Sequence, residues 1–152
     1  MNEAILMLPE ELAKKVMDVS QLEGITISGG EPMLQPDRLL NFVDTIRNKT
    51  SLSIICFTGF RLEDLRNMRN TNIDKFLETI DVLIDGPYLD ELNDNKGLRG
   101  SSNQRVHFLS GLYKDSESEF INGRRDIEIH LFKDHCLIAG IHPLGFDQKD
   151  FI

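Results

Sequence analysis

Cysteine is nearly absent: two residues in 152. That excludes a disulfide framework and a four-cysteine metal site, and Cys56 and Cys136, far apart and each set in an apolar run, read as core thiols. There is no tryptophan, and no basic block or aromatic-basic stripe offsets the net charge of -8. Such a surface repels a phosphate backbone, which argues against nucleic acid as a partner. No run approaches the roughly 18–20 apolar residues of a membrane span, which argues against a membrane partner. Asn2 and Glu3 stand where a signal peptide is basic, and Glu10 and Glu11 interrupt any apolar stretch, so the expected location is cytoplasmic. His107, His130, His135 and His142 show no metal-ligand spacing, and no Ser-His-Asp, Cys-His or acid-base pair emerges from residue order.

What remains is the composition of a globular domain, 40% apolar and 28% charged, of a length that buries about 68–70% of its unfolded surface. One domain over 1–152 is expected. Pro9, the acidic pair after it and the stripe Leu12, Val16, Val19 predict a helix over 9–22. An apolar strand at 24–27 precedes a Gly-Gly-Glu-Pro loop, and Pro36 and Asp37 start a helix to about 48 with Leu39, Leu40, Val43 and Ile46 inward. The unit repeats: a strand at 52–57, a helical region over 62–76 broken near 70–72, and a strand at 80–84. Strands beginning near 24, 52 and 80 suit parallel pairing through crossover helices. After a polar loop over 90–104 comes another strand at 105–109, then a solvated connection at 114–119. The alternation at 126–132 and the apolar run 136–141, with a turn at 133–135, predict an antiparallel hairpin. The tail after Pro143 reads as loosely held.

The chemistry belongs at the carboxyl ends of the parallel strands, where loops and helix N-termini converge. Ser28, Gly29, Gly30, Glu31 and Pro32 form the first loop there. Two glycines permit φ > 0 and close backbone approach, and Pro32 forces Glu31 into an extended conformation, so a carboxylate is fixed beside bare backbone. The lysine and hydroxyl of a phosphate cradle are missing, and an acidic residue suits a ligand amine. Thr58 reads either as a donor to a ligand carboxylate or as a capping hydroxyl. Asp85 reads either as an acceptor for a ligand hydroxyl, amine or cation, or as a turn former before Gly86 and Pro87. In the polar loop, Arg99 and Arg105 offer anion contacts, while Asn103 and Gln104 offer amides able to read an adenine edge or a peptide backbone.

Four segments together resemble the radical S-adenosylmethionine activating enzymes, in particular those that serve anaerobic ribonucleotide reductase: GITISGGEPMLQ at 24–35, FTGFRLEDL at 57–65, DVLIDGPYLDEL at 81–92 and LRGSSNQRVH at 98–107. The hairpin over 126–143 is similar to one in small relatives. The resemblance implies an α/β fold that is a partial parallel β/α barrel, incomplete relative to a TIM barrel, with β/α units over 8–108 and the C-terminal hairpin. It implies S-adenosylmethionine as cofactor, its methionyl amine held by residues 28–32, with Thr58 and Asp85 further round the site. It also implies a [4Fe-4S] cluster that passes one electron to the sulfonium, an electron donor, and a glycyl-radical partner such as anaerobic ribonucleotide reductase, from whose glycine a hydrogen is removed.

The sequence departs from that pattern at the cysteines. The family carries Cys-x3-Cys-x2-Cys after a first strand, and Cys56 and Cys136 cannot substitute, so no metal ligand is assigned and this chain is expected to bind no cluster and to be incompetent alone. A missing amino-terminal portion with that strand is expected, leaving a sheet edge open to self-association. The alternative is a non-catalytic module binding S-adenosylmethionine, a nucleoside or a partner protein.

Overall fold

The computed structural model describes residues 6–133 and 136–143. Pro9 opens helix α1 (Pro9–Met17), and the carboxylate of Glu11 accepts from the Leu8 N–H before it. α1 ends well before residue 22, and Gln21 then takes a left-handed φ of 63°. Its buried residue is Ala13, whereas Leu12 and Val19 of the expected stripe face outward.

From there the chain alternates strand and helix as the apolar periods require: β1 (Gly24–Ile27), α2 (Pro36–Arg47), β2 (Ser53–Thr58), α3 (Leu62–Asn67), α4 (Thr71–Thr79) and β3 (Val82–Asp85). The expected break in the third helical region falls where Arg69 adopts φ 50°, and the Asn70 side chain caps α4 by accepting from the Asn72 N–H. β1, β2 and β3 are parallel neighbours. All four residues of β3 are buried, as befits a strand covered on both faces. Val43 and Ile46 of α2 and Ile73 and Phe76 of α4 pack with Ile54, Cys56 and Leu83 in one core, each large side chain contributing about 1.5–3 kcal/mol.

β4 (Arg105–Phe108) joins β3 antiparallel, giving one open sheet in the order β1-β2-β3-β4. The fold is thus mixed α/β with a mostly parallel sheet, and no barrel closes among the described residues, because β4 ends the parallel series. At the amino end of β3, Asp81 accepts from Arg47, the Ile54 N–H and the Ser110 hydroxyl, tying α2, β2 and the segment after β4 together.

The solvated connection expected over 114–119 runs into helix α5 (Glu117–Asn122), whose Phe120, just beyond that segment, meets Phe108 edge-on at 5.5 Å and Tyr113 at 4.9 Å. The antiparallel hairpin is present as β5 (Ile127–Leu131) and β6 (Cys136–Gly140), with Ile129 opposite Ile138. Residues 134 and 135 of the turn expected over 133–135, His135 among them, and the tail beyond Pro143 lie outside the described residues. No helix among the described residues is long and apolar enough to cross a membrane.

Candidate functional site

Pairing Ile27 with Cys56 and Thr58 with Asp85 brings the loops after β1, β2 and β3 to one end of the sheet. In the first loop, Pro32 holds Glu31 extended (φ -128°, ψ 108°), and Pro32 and Met33 are buried as anchors. Glu31 Oε1 accepts from the Met33 N–H at 3.0 Å and the Thr58 hydroxyl at 2.7 Å, while Oε2 accepts from the Gly59 N–H at 2.8 Å. Thr58 is therefore a donor, but to Glu31. Gly29 and Gly30 take φ 79° and 56°, and a Cβ on either would have nothing within 4 Å. Their glycine identity answers to backbone conformation and leaves bare, exposed main chain.

Residues Ser28, Gly29, Gly30, Glu31 and Thr58 border a cavity of about 1050 Å³. Ile55 and Phe57 of β2 contribute apolar lining, and Tyr88, Gln104 and Ala139 and Gly140 of β6 also border it. This is roughly the scale of a cofactor pocket, apolar with a few polar groups at the rim.

Asp85 does not line the cavity. Its fully buried carboxylate accepts from the Leu62 N–H (2.8 Å), Arg61 (3.2 Å), Arg105 Nε (2.9 Å) and His107 Nε2 (2.9 Å). Arg105 stands directly opposite Asp85 across the β3–β4 pair, and His107 lies on the same strand face two residues on. Burial opposes ionisation of Asp85, but the hydrogen bonds from Arg105, the Leu62 amide and His107 outweigh it and hold the carboxyl well below its ordinary range. The carboxylate is thus taken up by Arg61, Arg105, His107 and the Leu62 amide, a role different from both the ligand acceptor and the turn former expected of it.

The arginine loop is likewise turned inward. Arg105 also pairs with Glu63 at 2.6 Å, and Arg99 with Asp94 at 2.6 Å, so neither guanidinium is held out for an anion. Gln104 Oε1 accepts from the Gly100 and Ser101 amides, and its Nε2 donates to the Gly86 carbonyl; Asn103 Nδ2 donates to the Pro87 carbonyl. Both amides read this chain's own backbone. Arg125 had no sequence signal. It is buried, and its guanidinium donates to the carbonyls of Gly97, Arg99 and Gly100 and to Asn93 Oδ1 at 2.7 Å, fastening the polar loop to the base of the hairpin. Burial lowers its pKa from the ordinary arginine value.

A family model described as a 4Fe-4S single cluster domain matches residues 3–107, from α1 through the three strand-end loops to β4. The chain belongs to the 4Fe-4S single cluster domain family. Among curated proteins, the anaerobic ribonucleoside-triphosphate reductase-activating protein of Enterobacteria phage T4 is similar to this member of the family. The two are 32% identical over 100 residues, which is 64% of this chain and 60% of the relative, so the match spans about three-fifths of the relative's length. No solved structure matches.

The residues present do not fit the family's cluster. Protein-bound [4Fe-4S] clusters are held by cysteine thiolates, typically four. This sequence has two cysteines, and no group of three or more His, Cys, Asp or Glu among the described residues is placed to hold a metal ion. Cys56, the one cysteine within the matched span, is sealed in the core with Sγ 3.7 Å from the Phe57 carbonyl. Burial, with a smaller contribution from the Glu31 charge, pushes its thiol up to about 12, so it stays protonated.

Proposed function

We propose that this chain is the S-adenosylmethionine-holding portion of a radical-type activating protein that serves a glycyl-radical enzyme such as an anaerobic ribonucleotide reductase, its open sheet being an arc of a partial β/α barrel. The observation that carries the reading is the first strand-end loop. Bare main chain at Ser28, Gly29 and Gly30, with a carboxylate fixed beside it, borders a cofactor-sized cavity walled by Ile55 and Phe57. Main-chain carbonyls there would accept from the methionyl amine, the Glu31 charge would favour its ammonium form, and the apolar wall would exclude water from the adenosyl end. S-adenosylmethionine, when bound, supplies a sulfonium whose one-electron cleavage is the source of radical chemistry in such activators. The relative's name, which specifies activation of an anaerobic reductase, supports the class of partner.

A second reading is a non-catalytic module that binds S-adenosylmethionine, a nucleoside or a protein; the two cysteines favour it. Isothermal titration of the chain with S-adenosylmethionine tests the shared element. Binding is expected, and Gly30→Val, which puts a branched side chain at a left-handed φ and into the open space, should weaken it at least about tenfold. Wild-type affinity in that variant, or no binding by the wild type, would refute the loop assignment. Activation of a reductase partner by a cluster-reconstituted assembly containing this chain then separates the first reading from the second.

A further inference from the structure

The three strand-end loops are joined by a chain of hydrogen bonds. The Gly86 N–H donates to the Phe60 carbonyl (3.0 Å), the Phe60 N–H donates to Thr58 Oγ1 (3.2 Å), and the Thr58 hydroxyl donates to Glu31 Oε1 (2.7 Å). The order is fixed by donor count. Thr58 has one proton, given to Glu31, and a lone pair that takes the Phe60 amide. The Gly59 N–H meets the other oxygen of the same carboxylate. Glu31 thus spends three of its roughly four acceptor positions on this chain's own donors, leaving little for a ligand.

We infer that Thr58 is a positioning residue acting through Glu31: its hydroxyl and the Gly59 amide clip the Gly-Gly-Glu loop to the end of β2, so that ligand is held chiefly by the main chain of residues 28–30, preset by the clip. This rests on the proposed binding of S-adenosylmethionine, but the clip itself is a property of the ligand-free protein. Thr58 is 4% exposed, so valine fills the same space and removes only the hydroxyl's bonds.

The test uses Thr58→Val, Thr58→Ser, Glu31→Gln and the Glu31→Gln/Thr58→Val double variant. S-adenosylmethionine is titrated calorimetrically, and amide hydrogen exchange at Gly59 and Met33 is followed without ligand. Thr58→Val is expected to weaken binding about tenfold, the scale of one charge-assisted hydrogen bond, and to speed exchange at both amides. Thr58→Ser should restore both to near wild type, and the double variant should bind no worse than the weaker single one, because both substitutions break one unit. Wild-type affinity in Thr58→Val beside a loss in Glu31→Gln would overturn the inference in favour of direct contact by Glu31. Losses that multiply in the double variant would overturn it as well. If the wild type binds no S-adenosylmethionine, the functional reading fails and exchange alone decides: faster exchange at Gly59 and Met33 in Thr58→Val upholds the clip, and unchanged exchange overturns it.

Discussion

Asparagine in place of Asp85 keeps the shape of the side chain and removes its charge. In the native protein the two carboxylate oxygens, fully buried, receive bonds from Arg61, both Nε and Nη2 of Arg105, His107 and the Leu62 amide. An asparagine oxygen can keep some of these as weaker neutral bonds, but its NH2 group faces donors. Breaking a buried ion pair costs about 3–5 kcal/mol when the surviving charge stays buried. Here the Arg61 and Arg105 side chains are 32% and 41% exposed and can turn toward water, so about 3 kcal/mol is expected, or roughly 6–12 °C in Tm for a domain of this size. The pH dependence has a definite sign. The folded pKa of Asp85 is depressed, so the unfolded state binds more protons and stability rises with pH between the two values. The contribution is complete above the unfolded value of about 3.9 and is lost as pH falls from there toward the folded value. Thermal unfolding by circular dichroism at pH 7 and at steps down to pH 3 should show a gap between wild type and variant that narrows below about pH 4. Equal Tm values at pH 7, or a gap that does not narrow, would refute this account.

Arg125→Met should loosen the polar loop locally and cost about 2–4 kcal/mol, because it orphans the buried carbonyls of Gly97 and Gly100 and the half-buried carbonyl of Arg99. The amides of Gly97 and Leu98, bonded to Gly123 and Phe120, should then exchange faster than those of β3, and a uniform change would count against a local clamp. Thiol labelling of the folded protein should modify Cys136, which is half-buried, and spare Cys56, which is buried and protonated; both should react in denaturant. Rapid labelling of Cys56 in the native protein would contradict its burial.

The parallel part of the fold was legible because its signals are local. Apolar strands ending in glycine turns, Pro36 at a helix start and the break around Asn70 each fix an element without reference to distant residues. The orientation of β4 was not legible, since Arg105 to Phe108 has no marker of direction and its antiparallel course follows from the path of a long polar loop. α5 was hidden because it is six residues long and opens on Glu117, Ser118 and Glu119, a polar start that masks the half-buried Phe120 and Ile121 behind it. At the site, the hydrogen bond between Thr58 and Glu31 was not legible, because it joins the ends of two strands 27 residues apart in sequence and depends on how those ends align in the folded sheet. Charge misled most in the arginine loop. Their charge points Arg99 and Arg105 toward anion contacts, yet Asp94, Glu63 and Asp85 are within reach once the chain is folded and supply those anions from within it. Arg125 was missed because its acceptors are main-chain carbonyls, which no side-chain pattern announces.

The sheet's strands stand in the same order in space as along the chain. Gly24 pairs with Ser53, Ile55 with Val82 and Val82 with Phe108, separations of 29, 27 and 26 residues. Closure entropy grows only as the logarithm of loop length, so these three pairings differ by about 0.1 kcal/mol in that cost. No strand must wait for a distant part of the sequence before it can dock. A ribosome releasing the chain from its amino end would expose each strand just after the neighbour it pairs with, so the sheet can be laid down in the order in which it is synthesised.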